Sequence, residues 1–330
     1  MIAMVLAAGL GTRLRPLTER IAKPALPLLG TTLLENDLRL LVRAGVDEVV
    51  VNAHHLPATV AAAARAAADR LGLRLHLSFE APDVLGTGGA LVAARPLLDR
   101  GGPFLLVNGD VLTDLDPRAA LAAHEASGAD ATMVLRPMPE GAPYGAVEID
   151  GADRVVRIAG HGRAPSPGER TRAFLFTGIH VLSPAIFSVL PAGPGCVNRQ
   201  GHAAWIARGG HVHGHVEPRG RWSDVGTPER YTEANLDLLD GAYDLPSPHG
   251  AARERSPGVW VDPAARVDAR ATLEAPCFVG AGVEVAAGAV VGPRAVLLAG
   301  SACAGRVRDA VVAPGASVPA GATIDRGLAF

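Results

Sequence analysis

The stretch Met4-Val-Leu-Ala-Ala-Gly-Leu-Gly-Thr-Arg-Leu-Arg-Pro-Leu-Thr18, with Lys23-Pro24 shortly after it, decides how the rest of the chain is read. The apolar run from Ile2 to Ala8 predicts a buried strand, and the Gly-Leu-Gly that follows lets backbone amides approach a ligand with no Cβ in the way. That arrangement suits a phosphate. Arg13 and Lys23 add two cations at short range, and Pro24 is expected to hold Lys23 extended and displayed rather than wound into a helix. Leu14 stands where a dinucleotide fingerprint would have its third glycine, and no Walker A string is present, so an NAD-dependent oxidoreductase is disfavoured.

Lys23 is also the only lysine among 31 Lys and Arg residues. A chain that otherwise writes its cations as arginine keeps a compact ammonium here, which points to a site that needs a point donor rather than a planar fork. The 330 residues, 48% of them hydrophobic, suffice for two domains and a sizeable core. A net charge of -2 without like-charge blocks gives no footprint for nucleic acid or an anionic membrane. Cys196, Cys277 and Cys303 are scattered and lack metal-type spacing, which fits free thiols in a reducing cytoplasm. No run reaches the roughly 18 apolar residues of a membrane span.

Onward from the glycine loop, helices are predicted over Thr32–Ala44, Pro57–Leu71 and Gly89–Asp99, alternating with strands over Glu48–Asn52, Arg74–Glu80 and Phe104–Asn108. Such alternation implies an α/β fold with a Rossmann-like, doubly wound sheet whose ligands gather at the carboxyl ends of the strands, where the glycine loop, Glu80 and Asp110 fall. The loop from Glu80 to Ala90 is rich in glycine, and its amides and Thr87 are expected to reach a base or ribose edge; Glu80 could accept N–H donors from guanine or uracil. Further strands are expected at Ala131–Arg136, Tyr144–Asp150, Asp153–Ile158 and Phe176–His180, with a helix at Glu229–Leu239. The alternating histidines of His211-Val-His-Gly-His215 read as a polar strand face rather than a metal site.

The string Leu-Ala-Ala-Gly-Leu-Gly-Thr-Arg-Leu-Arg-Pro-Leu-Thr with the downstream Lys-Pro closely resembles the signature of sugar-1-phosphate nucleotidyltransferases, which join an NTP to a sugar 1-phosphate. The resemblance implies roles residue by residue. Ala8, Gly9, Gly11, Thr12, Glu80, Gly86 and Thr87 would bind the nucleotide; Arg13, Lys23, Asp110 and Asp224 would be catalytic, with Asp110 and Asp224 as ligands of Mg²⁺. Asp224 lies in Trp-Ser-Asp-Val-Gly-Thr-Pro228, which is similar to the family's Trp-x-Asp-x-Gly-Thr-Pro. Asn108, Gly145, Glu148, Thr177, Gly178 and Asn198 would contact the sugar. Many members carry a second lysine ahead of the Thr-Gly element; here Gly160-His161-Gly162-Arg163 and a Pro-Ser-Gly loop stand instead, and Arg163, Arg170 or Arg172 could substitute.

The tail repeats with period six: Val261, Val267, Leu273, Val279, Val285, Val291, Leu297 and Cys303, then, after an offset around Asp309, Val312, Val318, Ile324 and Phe330. This resembles the hexapeptide repeat of a left-handed parallel β-helix of about four coils. Residues 1–242 are thus read as the nucleotidyltransferase domain, 243–258 as a linker and 259–330 as the β-helix. No histidine follows His249, which argues against the acyltransferase activity of bifunctional relatives. The tail also draws the reading toward the branch that joins GTP to mannose 1-phosphate, while the first domain looks equally like the uridylyl branch that uses MurNAc 1-phosphate. A regulatory protein that binds an NDP-sugar without turnover is the competing class. The expected partners are an NTP and a sugar 1-phosphate, with no nucleic acid or membrane, in a cytoplasmic homo-oligomer.

Overall fold

Ile2–Leu6 forms the first strand, β1, buried at every position but the last, as befits a run that is apolar throughout. The computed structural model describes residues 1–141, 144–164 and 166–330. Packing divides the chain into two compact units. One comprises Met1–Leu10, Asp37–Val111 and Leu115–Trp222, the other Gly11–Asn36, Leu112–Asp114 and Ser223–Phe330.

In the first unit β1 is flanked by β2 (Glu48–Ala53) and β4 (Phe104–Asn108), with β3 (Arg74–Phe79) outside β2, and all four run parallel. The helix α1 (Leu33–Arg43) leads into β2, while α2 (Pro57–Leu71) and α3 (Gly86–Leu98) make the crossovers that parallel strands require. The chain fills one side of β1 with β2 and β3, then returns to the other side with β4. The order therefore switches between β1 and β4, and a crevice at such a point is where open α/β sheets take ligands.

Beyond β4 the sheet is no longer parallel. The strands β5 (Ala131–Pro137), β6 (Val147–Ile149), β7 (Val155–Ile158), β8 (Arg172–Leu182) and β9 (Val212–Val216) complete a ten-stranded mixed sheet with the two-residue strand His161–Gly162, and β8 runs antiparallel to β4, β5 and β6. A core of Met4, Val50, Leu91, Phe104, Leu106, Met133 and Leu182, among others, lies under it. Each such side chain contributes about 1.5–3 kcal/mol of burial.

Among the helical segments that the sequence reading did not predict, two are longer than a single turn or two. α4 (Pro117–Ser127) has its signals in place: Asp116 accepts from the Arg118 amide as N-cap, Pro117 opens the helix, and Gly128 at φ 60° ends it. Val197–Ala203 and Ala204–Ala207 form one helical run that lacks such a cap.

In the second unit the tail strands stack in parallel. Val259 pairs with Cys277 and Cys277 with Ala295, eighteen residues on each time; Val267 pairs with Val285 and Leu273 with Val291 at the same interval. Three hexads thus make one coil. The offset expected around Asp309 proves to be a shortened coil, because Ala295 pairs with Ala310 and Cys303 with Val318, only fifteen residues on. Val307, outside the period-six series, fills the column above Val291 and is fully buried. The same slippage puts Ala329 over Val312, so Phe330, expected as the last inward residue, is 55% exposed.

The segment read as a linker is packed. Tyr243, Leu245 and Ala252 are buried in a core with Leu14, Leu28, Tyr231 and Phe278; Gly30 donates its amide to the Pro248 carbonyl at 3.1 Å, and His249 stacks on Trp260. Its apolar residues are few, and the largest of them, Tyr243 and Leu245, are both buried. Among the described residues no helix is long and apolar enough to cross a membrane.

Candidate active site

Three strand ends of the first unit are tied together by buried hydrogen bonds. Ala7, directly after β1, donates its amide to Asn52 Oδ1 at 2.7 Å; Asn52 Nδ2 donates to Glu80 Oε1 at 2.6 Å; Glu80 Oε2 accepts from the Leu85 amide at 2.7 Å. Asn52 and Glu80 are 2% and 5% exposed. Glu80, expected to offer its carboxylate to a base, here accepts from the protein through both oxygens. The cause is the pair of donors inside the protein: Asn52 and the Leu85 amide draw the carboxylate inward.

The two glycine-rich segments face different surroundings. Ala8 is buried, Gly9 is exposed, and a Cβ built on Gly9 meets nothing within 4 Å. At Gly86 a Cβ would stand 2.6 Å from the Gly195 carbonyl oxygen, and at Gly89 2.6 Å from that of Gly193. Gly88 donates its amide to Gly195 at 2.8 Å, and the Thr87 hydroxyl accepts from the Val197 amide at 2.9 Å. Helix α3 also begins at Gly86, three residues earlier than the sequence suggests, so these glycines form its first turn.

On the sugar side of the reading, β4 ends in Asn108, half-buried, and Gly109 donates to the Leu6 carbonyl at 2.9 Å, which brings the half-buried Asp110 beside the end of β1. Gly178, at φ 89°, lies where β8 breaks register with β5, and a Cβ there would be 3.0 Å from the Asn108 side chain. Thr177 is fully buried; its hydroxyl donates to the Val134 carbonyl at 2.8 Å, and its own carbonyl accepts from Trp222 Nε1 at 2.7 Å. Tyr144 meets the Trp222 ring edge to face, 5.8 Å between centroids. Gly145 is exposed, and a Cβ there would meet Ala159.

Glu148 projects from β6 between buried neighbours and pairs with Arg157, with the Thr171 hydroxyl donating to it at 3.2 Å. Of the arginines considered as substitutes for a second lysine, Arg163 is held bidentately by Glu169, and Arg172 pairs with Asp153. Among the described residues Arg170 alone of the three makes no ion pair; Pro165 of that loop lies outside them. The Asn198 amide oxygen is buried and accepts no hydrogen bond from the described residues. His211, His213 and His215 are half-buried on one face of β9, opposite Val212 and Gly214, and burial pushes the pKa of each down.

In the second unit Gly11, at φ 61°, caps the short helical turn Thr12–Leu14, which leaves Thr12 and Arg13 exposed and Leu14 buried. The Thr18 hydroxyl donates to the Gly11 carbonyl at 2.8 Å, and a Cβ on Gly11 would approach Thr18 Cγ2 at 2.9 Å and Lys23 Cβ at 3.3 Å. Lys23 is not displayed as expected. It opens the 3₁₀ turn Lys23–Ala25, is 7% exposed, and the extended residue is Ala22. Pro24 fits this turn because its missing N–H is one that a first turn leaves unused.

Asp224 ends the strand Trp222–Asp224, which pairs with Val111–Thr113, and its carboxylate binds Arg230. Arg13 Nη2 and Asp224 Oδ2 both border Gly226, at 3.1 and 3.4 Å from a Cβ built there. Thr227 then caps the helix Pro228–Leu239, and Pro228 opens it. The Gly-Thr-Pro of the motif is therefore a close approach, a cap and a first turn.

Asn52 and Arg230 were missed. A signal existed for Asn52: it closes an apolar strand, Val-Val-Val-Asn52, as Asn108 closes Leu-Leu-Val-Asn108. Arg230 has no such mark.

A family profile described as nucleotidyl transferase matches residues 2–241. A mannose-1-phosphate guanylyltransferase of Mycobacterium tuberculosis is 31% identical over 98% of this chain and 83% of its own length. The catalytic subunit beta of the enzyme of that name from Danio rerio is 31% identical over 82% of this chain and 74% of its own. A UTP–glucose-1-phosphate uridylyltransferase of Synechocystis is 28% identical over 91% and 81%. Among solved structures, HddC from Yersinia pseudotuberculosis superposes with a TM-score of 0.59 over 72% of this chain and 99% of its own, at 22% identity, a likeness of fold.

Proposed function

Because the chain belongs to the nucleotidyl transferase family and is a sugar-1-phosphate nucleotidyltransferase, we propose that it joins GTP to mannose 1-phosphate and releases pyrophosphate. The observation that carries this choice is the pair of relatives named mannose-1-phosphate guanylyltransferase at 31% identity, one matched over 98% of the chain, tail included. The profile match over residues 2–241 supports a catalytic domain ending near 242. The eighteen-residue ladders support reading 259–330 as a left-handed β-helix.

In this reading a phosphate oxygen of the sugar phosphate attacks the α-phosphorus; that bond forms as the bond to the pyrophosphate oxygen breaks. The attacker is already an anion, so no general base is required. Positioning and charge neutralisation carry the rate. Amides of Ala8 to Thr12 and the exposed Arg13 would hold the outer phosphates, with Gly9 leaving room for them. Lys23, anchored beside Gly11, would bring its ammonium to the reacting phosphate. Asp110 and Asp224 would hold Mg²⁺, and their donor chemistry fits it, since Mg²⁺ takes one or two carboxylates and completes its shell with phosphate oxygens and water. When bound, the ion would screen the repulsion between the two phosphates. Asn108, Gly145, Glu148, Gly178 and Asn198 would line the sugar's place, with Thr177 acting through its backbone.

The Synechocystis relative favours a second reading, UTP with a hexose 1-phosphate. Pyrophosphate release with each of the four NTPs and dTTP, against mannose, glucose and MurNAc 1-phosphates, with Mg²⁺ or EDTA, separates the two. Release confined to GTP, mannose 1-phosphate and Mg²⁺ is the expected result. Release with UTP instead establishes the second reading, and tight NDP-sugar binding without any release leaves a regulatory protein.

A further inference from the structure

We infer that Asn52 is a positioning residue for the nucleotide: with Glu80 it forms a buried relay that sets the glycine loop after β1 in register with the loop that opens α3. The inference rests on the nucleotide reading above. The relay has one path. The Ala7 amide is held by Asn52 Oδ1, the Asn52 amide group is held by Glu80 Oε1, and the Leu85 amide is held by Glu80 Oε2, all between 2.6 and 2.7 Å.

Its ends are the residues that precede Ala8–Thr12, proposed to hold the outer phosphates, and the loop Gly86–Thr87, expected from the sequence to reach the base through its amides. Glu80 is fixed in turn, because its amide donates to the Ala53 carbonyl at 2.9 Å and its own carbonyl meets His54 Nδ1 at 3.0 Å. Neither middle residue has other work on the surface, since both side chains are nearly inaccessible. A buried asparagine with its acceptor on one loop and its donor on a carboxylate has only one orientation that satisfies both neighbours. The relay therefore transmits position between the two ends of a bound NTP, and Asn52 touches neither.

The polarity of the chain of donors supplies the test. Asn52→Asp keeps the acceptor for Ala7 but sets a second carboxylate against Glu80. Asn52→Asp combined with Glu80→Gln restores every bond with the direction of one reversed: the introduced glutamine donates its amide to the introduced aspartate while its oxygen still accepts from Leu85, at unchanged net charge. Calorimetric binding of GTP and UTP, melting temperature, and KM for each substrate are read on both variants.

The single variant is expected to bind nucleotide about tenfold or more weakly, through KM for the NTP, with KM for the sugar phosphate unmoved. The double variant is expected to recover to within about threefold of the parent. Unchanged nucleotide affinity in the single variant, even with a lowered melting temperature, overturns the inference, as does a double variant no better than the single one. If Asn52→Asp does not fold, Asn52→Ser, which removes the amide without adding charge, carries the same expectation. Binding without turnover in the parent protein would sink the proposed reaction and leave the relay measurable.

Discussion

Gly9 after β1 and the glycines that open α3 look alike in the sequence, and the fold surrounds them differently. Around Gly9 the protein leaves open space, so nothing in the fold asks for a missing side chain; in the proposed reaction the nucleotide does. Around Gly86 and Gly89 the backbone of Gly193–Gly195 comes so close that a Cβ would sit 2.6 Å from a carbonyl oxygen. There the absent side chain is filled by the protein. Two glycine-rich segments at the carboxyl edge of one sheet thus differ in what occupies the space beside them, and spacing alone could not tell them apart.

That contrast can be broken by substitution. Gly86→Ala should have the largest effect on stability, at least about 3 kcal/mol, because it combines a positive φ of 68° with a clash against backbone that cannot move aside. Chemical denaturation would check it, and an unchanged midpoint would mean that Gly193–Gly195 is easily displaced. Gly9→Ala should do the reverse: the melting temperature stays where it was while KM for the NTP rises about tenfold, as expected when a ligand loses its closest approach to backbone amides. A lowered melting temperature with unchanged KM would erase the contrast.

Thr87→Val sharpens the same point on a smaller scale. It keeps the shape and removes the acceptor of the Val197 amide, so a loss of about 1–2 kcal/mol in stability is expected. If nucleotide affinity falls instead while stability holds, the Thr87 hydroxyl serves the nucleotide rather than Val197.

The last effect is read in its pH dependence and comes from a region remote from both loops. Glu48, at the opposite end of β2 from Asn52, is held by Arg100 at 2.7 and 2.8 Å and by His76 at 2.7 Å, and the hydrogen bonds from Arg100 bring its pKa down to about 2. A carboxylate whose folded pKa is depressed contributes stability that is fully present above its ordinary value of 4.5 and is lost as pH falls toward 2. Glu48→Gln should therefore flatten the acid limb of the stability profile between those values and leave the pH dependence above it alone. A parallel shift at all pH values would show that the charge is not what matters.

How much of this was legible beforehand follows the range of the interactions. Strand β1, the crossover helices and the coil repeat are local patterns of apolar residues, and they stand close to where the sequence indicates. The burial of Glu80, the first turn of α3 at Gly86 and the packing of the 243–258 segment depend on partners far along the chain: Thr87 meets Val197, and Gly30 meets Pro248. Lys23 shows a subtler failure. The rule that a residue before proline is extended holds on average, but a single 3₁₀ turn with proline second satisfies both residues, and the lysine went inward. Val307 is similar, because a period of six cannot foresee a coil of fifteen.

Whether Lys23 acts at the reacting phosphate is tested most directly by single-turnover pyrophosphate release with Lys23→Met, which keeps the bulk of a buried side chain and removes its charge. The rate should fall by about a hundredfold to a thousandfold, with the melting temperature unchanged and nucleotide still bound. A rate near that of the parent protein would contradict the assignment and return the only lysine in the chain to a structural role.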